Sequence, residues 1–157
     1  MPGIPLAIVL PEAEVTLLEA TGKKTRFLEE TVAALDLENV TVINDRAEVV
    51  GNDREHHRER YDMVVARAVG ALRVLLELTV PLARIGGHVI SIKGRRAASE
   101  IIAAKRALHL LHAQVVGTTR TATGTIVLVE KLRPTPKAYP RRAGEPKRAP
   151  LGGAEAS

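Results

Sequence analysis

Four charged positions stand where short apolar runs end. Glu19 follows residues 15–18, Asp45 to Glu48 follow 40–43, Arg67 follows 61–66, and Lys93 follows 88–92. In open α/β sheets a ligand sits beyond the carboxyl ends of the strands, so these are the residues placed to do chemistry. A carboxylate such as Glu19 can accept hydrogen bonds from both hydroxyls of a ribose; otherwise it is a charged strand end facing water. Ala47-Glu48 suits the border of an adenine, or Glu48 is an ordinary loop acid. Arg67 puts a planar cation after an apolar strand, where it needs partners. Those partners are either a ligand or a structural acid such as Glu19 or Glu48. Lys93 has the same claim, although a lysine can also snorkel to solvent.

The elements that must position these residues alternate. Residues 1–8, MPGIPLAI, read as the tail of a glycine-rich loop running into a helix. A strand over 15–19 is followed by a helix over 23–37, with Phe27, Leu28, Val32 and Leu35 on one face. A strand over 40–43, a polar connector over 51–60 and an apolar strand over 61–66 come next. A helix is expected over 70–84, stopped by Gly86-Gly87, then a strand over 88–92 and a helix over 97–113. Two strands, 113–122 and 125–132, close the series around a turn at Thr123-Gly124. Alternating strands and helices imply an α/β fold with a mostly parallel sheet. The closing hairpin implies an antiparallel edge.

Composition narrows the function. The chain has 157 residues, 45% hydrophobic and 26% charged, as in a soluble globular protein. No apolar run reaches the ~18 residues needed to span a bilayer, and the start lacks a signal-peptide pattern. These features point to a cytoplasmic protein. Cysteine is absent, which excludes disulfides, thiolate metal sites and a cysteine nucleophile. His109 and His112 share a helix at i, i+3 spacing but have no evident third ligand, so no metal site is expected. With Phe27, Tyr61 and Tyr139 the only aromatic residues, base-stacking platforms are not expected to dominate.

The net charge of +5 is unevenly distributed. Residues 1–132 hold 17 basic and 16 acidic residues. Residues 133–150 hold six basic residues, among them Arg141 and Arg142, against Glu145 alone. Five prolines lie in the same stretch, which excludes a long helix or a central strand. The chain therefore divides into a domain over 1–132 and a basic arm over 133–157, expected to be extended or disordered. Such an arm suits phosphate tracking, or else merely solubilises the terminus.

Together, PGIPLAI, VTLLEATGKKTRFLEETV, the NDRAE turn, YDMVVARAVGAL, PLARIGGHVISIKG and TPKAYPRRAGEPKRAPL resemble the RsmG family. This is the bacterial small-subunit ribosomal RNA guanine-N7 methyltransferase family, also called glucose-inhibited division protein B. The resemblance implies a Rossmann-like methyltransferase fold with S-adenosylmethionine as methyl donor. It implies a guanine of 16S ribosomal RNA, or of the small ribosomal subunit, as acceptor. Residue by residue, Glu19 matches the family's ribose-binding acid, and Ala47 and Glu48 match the adenosyl-binding position. Arg67 matches the cofactor-binding arginine of the ARAV motif, near the point of methyl transfer, and Met1 stands where the family has Phe or Leu against the cofactor. Arg46 and Lys93 match basic positions suited to RNA, as do Arg141 and Arg142 of the arm.

Two departures from the family pattern carry expectations of their own. Family members have a helical region, a strand and a G-x-G-x-G-(F/L)-P-G turn upstream, of which only the last P-G is present, as Pro2-Gly3. The first, central strand of the sheet is therefore expected to be missing here. Without it, the strands over 15–19 and 40–43 lose their hydrogen-bonded link to those over 61–66 and 88–92, and the chain alone is expected to be inactive. Second, Gly124 stands where the family often has an arginine. Two alternatives remain open: a non-catalytic RNA-binding remnant, and a dinucleotide-dependent oxidoreductase domain.

Overall fold

The computed structural model describes residues 2–67 and 70–153. They form two compact units, Met1–Ala47 and Glu48–Ser157. Their sheets are separate: one has the order β1-β2, the other β3-β4-β6-β5. This is the division expected from a missing central strand. Among the described residues, β1 and β3 each pair with a single neighbour.

In the first unit, β1 (Val15–Leu18) and β2 (Val40–Ile43) run parallel, with Leu17 opposite Val42. The helix α1 (Gly3–Val9) packs on β1. Gly3 makes this approach possible, because a Cβ there would overlap the Leu17 side chain. The helix α2 (Gly22–Ala34) buries Thr25 and Leu28 and leaves Phe27 exposed, as is Leu35 directly after it. Asn39 holds the turn after α1 by donating its side-chain amide to the carbonyls of Ala7, Leu10 and Ala13. The short helix α3 (Ala47–Val50) stands at the boundary of the two units.

The second unit is built on β3 (Tyr61–Arg67), β4 (Ala83–Lys93), β5 (Ala113–Thr121) and β6 (Gly124–Lys131). The strands β3 and β4 are parallel, and β6 inserts antiparallel between β4 and β5. Strand alternation puts Val89, Ser91 and Lys93 of β4 beside Val127, Val129 and Lys131 of β6 on one buried face. The helices α4 (Leu72–Thr79), α5 (Ala97–Ala103) and α6 (Lys105–Leu110) pack together, with contacts to β3–β6.

Two helices are shorter than the apolar periodicity suggests. The expected 70–84 helix ends at Thr79, just before Pro81, and β4 is already extended from Ala83. The apolar run of 80–85 feeds a strand, and Gly86, at φ +73°, lies inside that irregular strand instead of ending a helix. The expected 97–113 helix breaks at Ala104, and His112 adopts a left-handed φ of +58° before β5.

The arm differs from its expected extended or disordered state. Over residues 133–153 it folds against the second unit, burying Thr135, Pro140, Pro146 and Leu151 and forming the short helix α7 (Glu145–Arg148). The reason lies in α4, LRVLLELT, which buries six of its eight residues and so needs cover on more than its sheet-facing side. Tyr139 and Leu151 of the arm join its core cluster. Arg58 binds the arm's carbonyls at Thr135, Pro136 and Tyr139. The division of the chain thus falls at residue 47, and the arm belongs to the second unit.

Candidate functional site

In the first unit, the ends of β1 and β2 are tied to α2. The Asn44 side-chain amide donates to the Glu19 carbonyl at 3.0 Å and to Thr25 Oγ1 at 2.9 Å, while Thr25 Oγ1 donates to the same carbonyl. This fixes the Glu19 backbone and leaves its side chain at the loop. There Glu19 Oε1 accepts the Thr21 N–H at 2.9 Å. Partial burial pushes the Glu19 carboxyl up. The Thr21 amide and hydroxyl, the Lys24 charge and the Ala20 amide outweigh it and hold the group below the usual glutamate range. Glu19 is therefore an ionised acceptor, with Oε2 unpartnered among the described residues. Asp45 accepts the Arg46 N–H at 2.7 Å, and the Arg46 side chain is exposed. Met1 lies outside the described residues.

In the second unit, the carboxyl ends of β3 and β4 open into a cleft of about 780 Å³. Its lining includes Arg67, Gly70, Lys93, Arg96 and Glu100. Arg67 is exposed, and among the described residues its side chain makes no hydrogen bond or ion pair. The structural alternative for Arg67, a fixed acid partner, is thus not seen within this unit. Lys93 is different. Its parity along β4 puts it on the buried face with Val89 and Ser91. Its ammonium meets Glu100 Oε2 at 2.7 Å and donates to the Gly70 carbonyl. Glu100 Oε2 also accepts the Leu72 N–H at the start of α4, at 2.7 Å. Lys93 and Glu100 therefore clamp both Gly70 and Leu72, downstream of Arg67.

Counting Arg67, Lys93 and Arg96 against Glu100, the cleft carries an excess of two positive charges. The Arg95-Arg96 pair directly after Lys93-Gly94 is the sequence signal that would have found Arg96. Replacing Glu100 by alanine strands the Lys93 ammonium, whose side chain is 7% exposed. Thermal unfolding of Glu100→Ala is expected to show a loss of about 1–3 kcal/mol.

Glu48 is buried, and its Oε1 accepts the Gly144 N–H of the arm at 2.7 Å. Its side chain is thus engaged with the arm. Arg141 is also engaged there: its guanidinium makes a two-point pair with the fully buried Glu77, at 2.8 and 2.6 Å. Its Nη2 also reaches the Ala149 carbonyl at 2.7 Å. Arg142 is exposed, and among the described residues its side chain has no partner. Gly124, where an arginine is frequent in the resembled family, has its α-carbon against the Lys93 carbonyl, with no room for a Cβ.

Among the described residues, no group of three or more histidine or acidic side chains is placed to hold a metal. His112 instead directs Nδ1 to the Pro134 carbonyl at 2.8 Å. No described helix is long and apolar enough to cross a membrane.

The overall fold resembles that of solved methyltransferase structures. This chain is similar to a 16S rRNA (adenine(1408)-N(1))-methyltransferase mutant from Catenulisporales acidiphilia, with a TM-score of 0.67 at 16% identity. That likeness covers 85% of this chain and 80% of the other, and shows the Rossmann-like fold. In sequence it is 46% identical over 155 residues to the Ribosomal RNA small subunit methyltransferase G of Roseiflexus castenholzii, covering 96% of this chain. It is 44% identical over 155 residues to the protein of the same name from Chloroflexus aggregans, again covering 96% of this chain. The chain spans 66% and 65% of the lengths of these two relatives. The family model described as rRNA small subunit methyltransferase G matches residues 1–127, and the chain belongs to that GidB family.

Proposed function

We propose that the protein to which this chain belongs is a cytoplasmic enzyme that methylates guanine N7 of 16S ribosomal RNA, using S-adenosylmethionine. What supports the reading, beyond membership of the family, is the Arg67 guanidinium at the carboxyl end of β3, unpartnered among the described residues, in a cleft with excess positive charge.

The residues fit the cofactor. Glu19 is an ionised acceptor with an uncommitted oxygen, which suits a ribose hydroxyl. With the Glu48 carboxylate bound to the arm, Ala47 and Glu48 border the adenine through their backbone. Met1 completes the cofactor contacts in this reading. The bound sulfonium supplies an already activated methyl group. Guanine N7 carries an exposed lone pair and needs no deprotonation, so no residue has to act as a general base. The protein's work is orientation and exclusion of water. Arg67 and Arg96 hold a phosphate or the guanine O6, and Arg46 and Arg142 add contacts to the RNA backbone. Lys93 and Arg141, matched at first to RNA contact, act through the segments they clamp.

The test is chemical. The gene is expressed in a strain whose 16S RNA lacks N7-methylguanine, and the RNA is probed by borohydride reduction and aniline cleavage. One new cleavage position in 16S RNA is expected. Methylation at another atom, or none, would overturn the reading. A binding titration of S-adenosylmethionine against NAD separates it from a dinucleotide-dependent oxidoreductase.

A further inference from the structure

A second cavity of the second unit, of about 300 Å³, is lined by Arg54, Arg58, Glu59, Pro134, Thr135 and Lys137. Its walls are the connector before β3 and the start of the arm. It lies at the far end of the sheet from the cleft. The amides of Glu59 and Arg60 bond to the carbonyls of Pro81 and Leu82, at the amino ends of β3 and β4. Arg67 and Lys93 mark the carboxyl ends. At ~3.3 Å per residue, the length of β3 separates the two by roughly 20 Å.

Its charge is not balanced from within. Arg58 is 8% exposed, and its four hydrogen-bond acceptors are neutral carbonyls: Gly51 at 2.9 Å, Tyr139 at 2.8 Å, Thr135 at 2.8 Å and Pro136 at 3.3 Å. Carbonyls satisfy the guanidinium hydrogens and leave its full charge in place. The one carboxylate in the lining, Glu59, is already bonded to the buried Lys131 ammonium and to the Thr135 N–H, each at 2.8 Å. Arg54, Arg58, Lys131 and Lys137 against Glu59 leave an excess of three positive charges. Burial lowers the pKa of both Arg58 and Lys131, the response of cations held away from water. Arg54 and Lys137 are exposed at the rim, and their side chains have no partner among the described residues. The buried Thr135 hydroxyl also lacks a partner. No aromatic ring lines the cavity, so it offers nothing on which a base would stack.

We propose that this cavity binds a phosphodiester group of the RNA backbone, anchoring the substrate about 20 Å from the methyl-transfer cleft. The proposal rests on the reading that the substrate is RNA. Compact oxyanions suit it, because the Arg58 fork is taken by carbonyls and the remaining donors, Arg54 and Lys137, approach from the rim. The contact is blind to base identity.

The test is the double variant Arg54→Ala/Lys137→Ala, made at two exposed side chains so that the fold is retained. Binding of a 16S RNA fragment is measured over a series of salt concentrations. The slope of log K against log salt is expected to become shallower by about 1–2, and low-salt affinity to fall about tenfold. The charge-preserving variant Arg54→Lys/Lys137→Arg is expected to keep the parent slope. Independently, inorganic phosphate is titrated into the labelled chain. Saturable amide shifts are expected at residues 54–58 and at Thr135 and Lys137, and are lost in the alanine variant. Absence of those shifts overturns the anion site, whether or not the chain binds RNA. Phosphate shifts with an unchanged RNA slope overturn the RNA assignment and leave free phosphate as the occupant. Failure of the parent chain to bind RNA overturns the functional reading, while the phosphate titration still decides the cavity.

Discussion

Arg141→Ala is expected to lower the melting temperature of the chain by roughly 10–20 °C, the largest stability effect of any single change considered. The partner of Arg141, Glu77, is fully buried in α4. The guanidinium bonds both carboxylate oxygens, and the Arg141 N–H adds a third bond at 3.0 Å. Removing the arginine leaves an uncompensated charge in the interior, at a cost of about 3–5 kcal/mol. Hydrogen bonding to Glu77 holds the guanidinium above its usual pKa against the opposing effect of burial, and the Glu77 and Glu145 charges add to it. The guanidinium therefore stays charged throughout the physiological range. If the loss comes from the stranded carboxylate, Glu77→Leu/Arg141→Leu recovers most of it, since apolar groups of similar size can replace a buried pair. Thermal unfolding followed by circular dichroism reads both variants. A melting point for Arg141→Ala within about 3 °C of the parent would show that the pair contributes little.

Arg67→Ala is expected to reduce methyl transfer about 10²-fold with little change in stability. The side chain is exposed and makes no hydrogen bond to the described residues, so its removal costs no internal contact. Its position at the carboxyl end of β3 is the one where a planar cation can orient a substrate or cofactor group. The measurement is single-turnover methyl transfer beside a melting curve, in a form of the protein that methylates RNA. Unchanged transfer and unchanged cofactor affinity together would remove Arg67 from the site. The contrast with Arg141 is informative: both are arginines in basic surroundings, yet one is committed to a buried acid and the other is not.

Much of the fold is legible in the sequence. Short strands, separate helices and a closing hairpin follow from local periodicity, and every expected strand is present. The break between the sheets matches the expectation drawn from the family pattern: β1 and β3 have no common neighbour among the described residues. Where helix lengths differ, the cause is local but easily overlooked. Apolar residues near Pro81 serve a strand as readily as a helix, and periodicity over so few residues does not separate the two.

The roles of charged residues were less legible. By residue type, Glu19, Arg67 and Lys93 looked alike, as polar groups at strand ends. Side-chain parity on β4 separates Lys93 from the others by turning it under α4 and α5, to Glu100. The arm read as solvated because it is rich in proline and arginine. The missed signal was in α4, whose sequence has too little polar surface to face water on its outer side. What the sequence determined by itself was the family, the order of elements and the set of strand-end candidates, all of which depend on local pattern. Only the tertiary structure decided which charges are spent internally. Glu77 with Arg141, Glu59 with Lys131 and Glu48 with Gly144 are pairings between residues 64–96 positions apart along the chain, so no local pattern records them; burial then makes those pairings obligatory, because a charge withdrawn from water must find a partner wherever the fold has brought one.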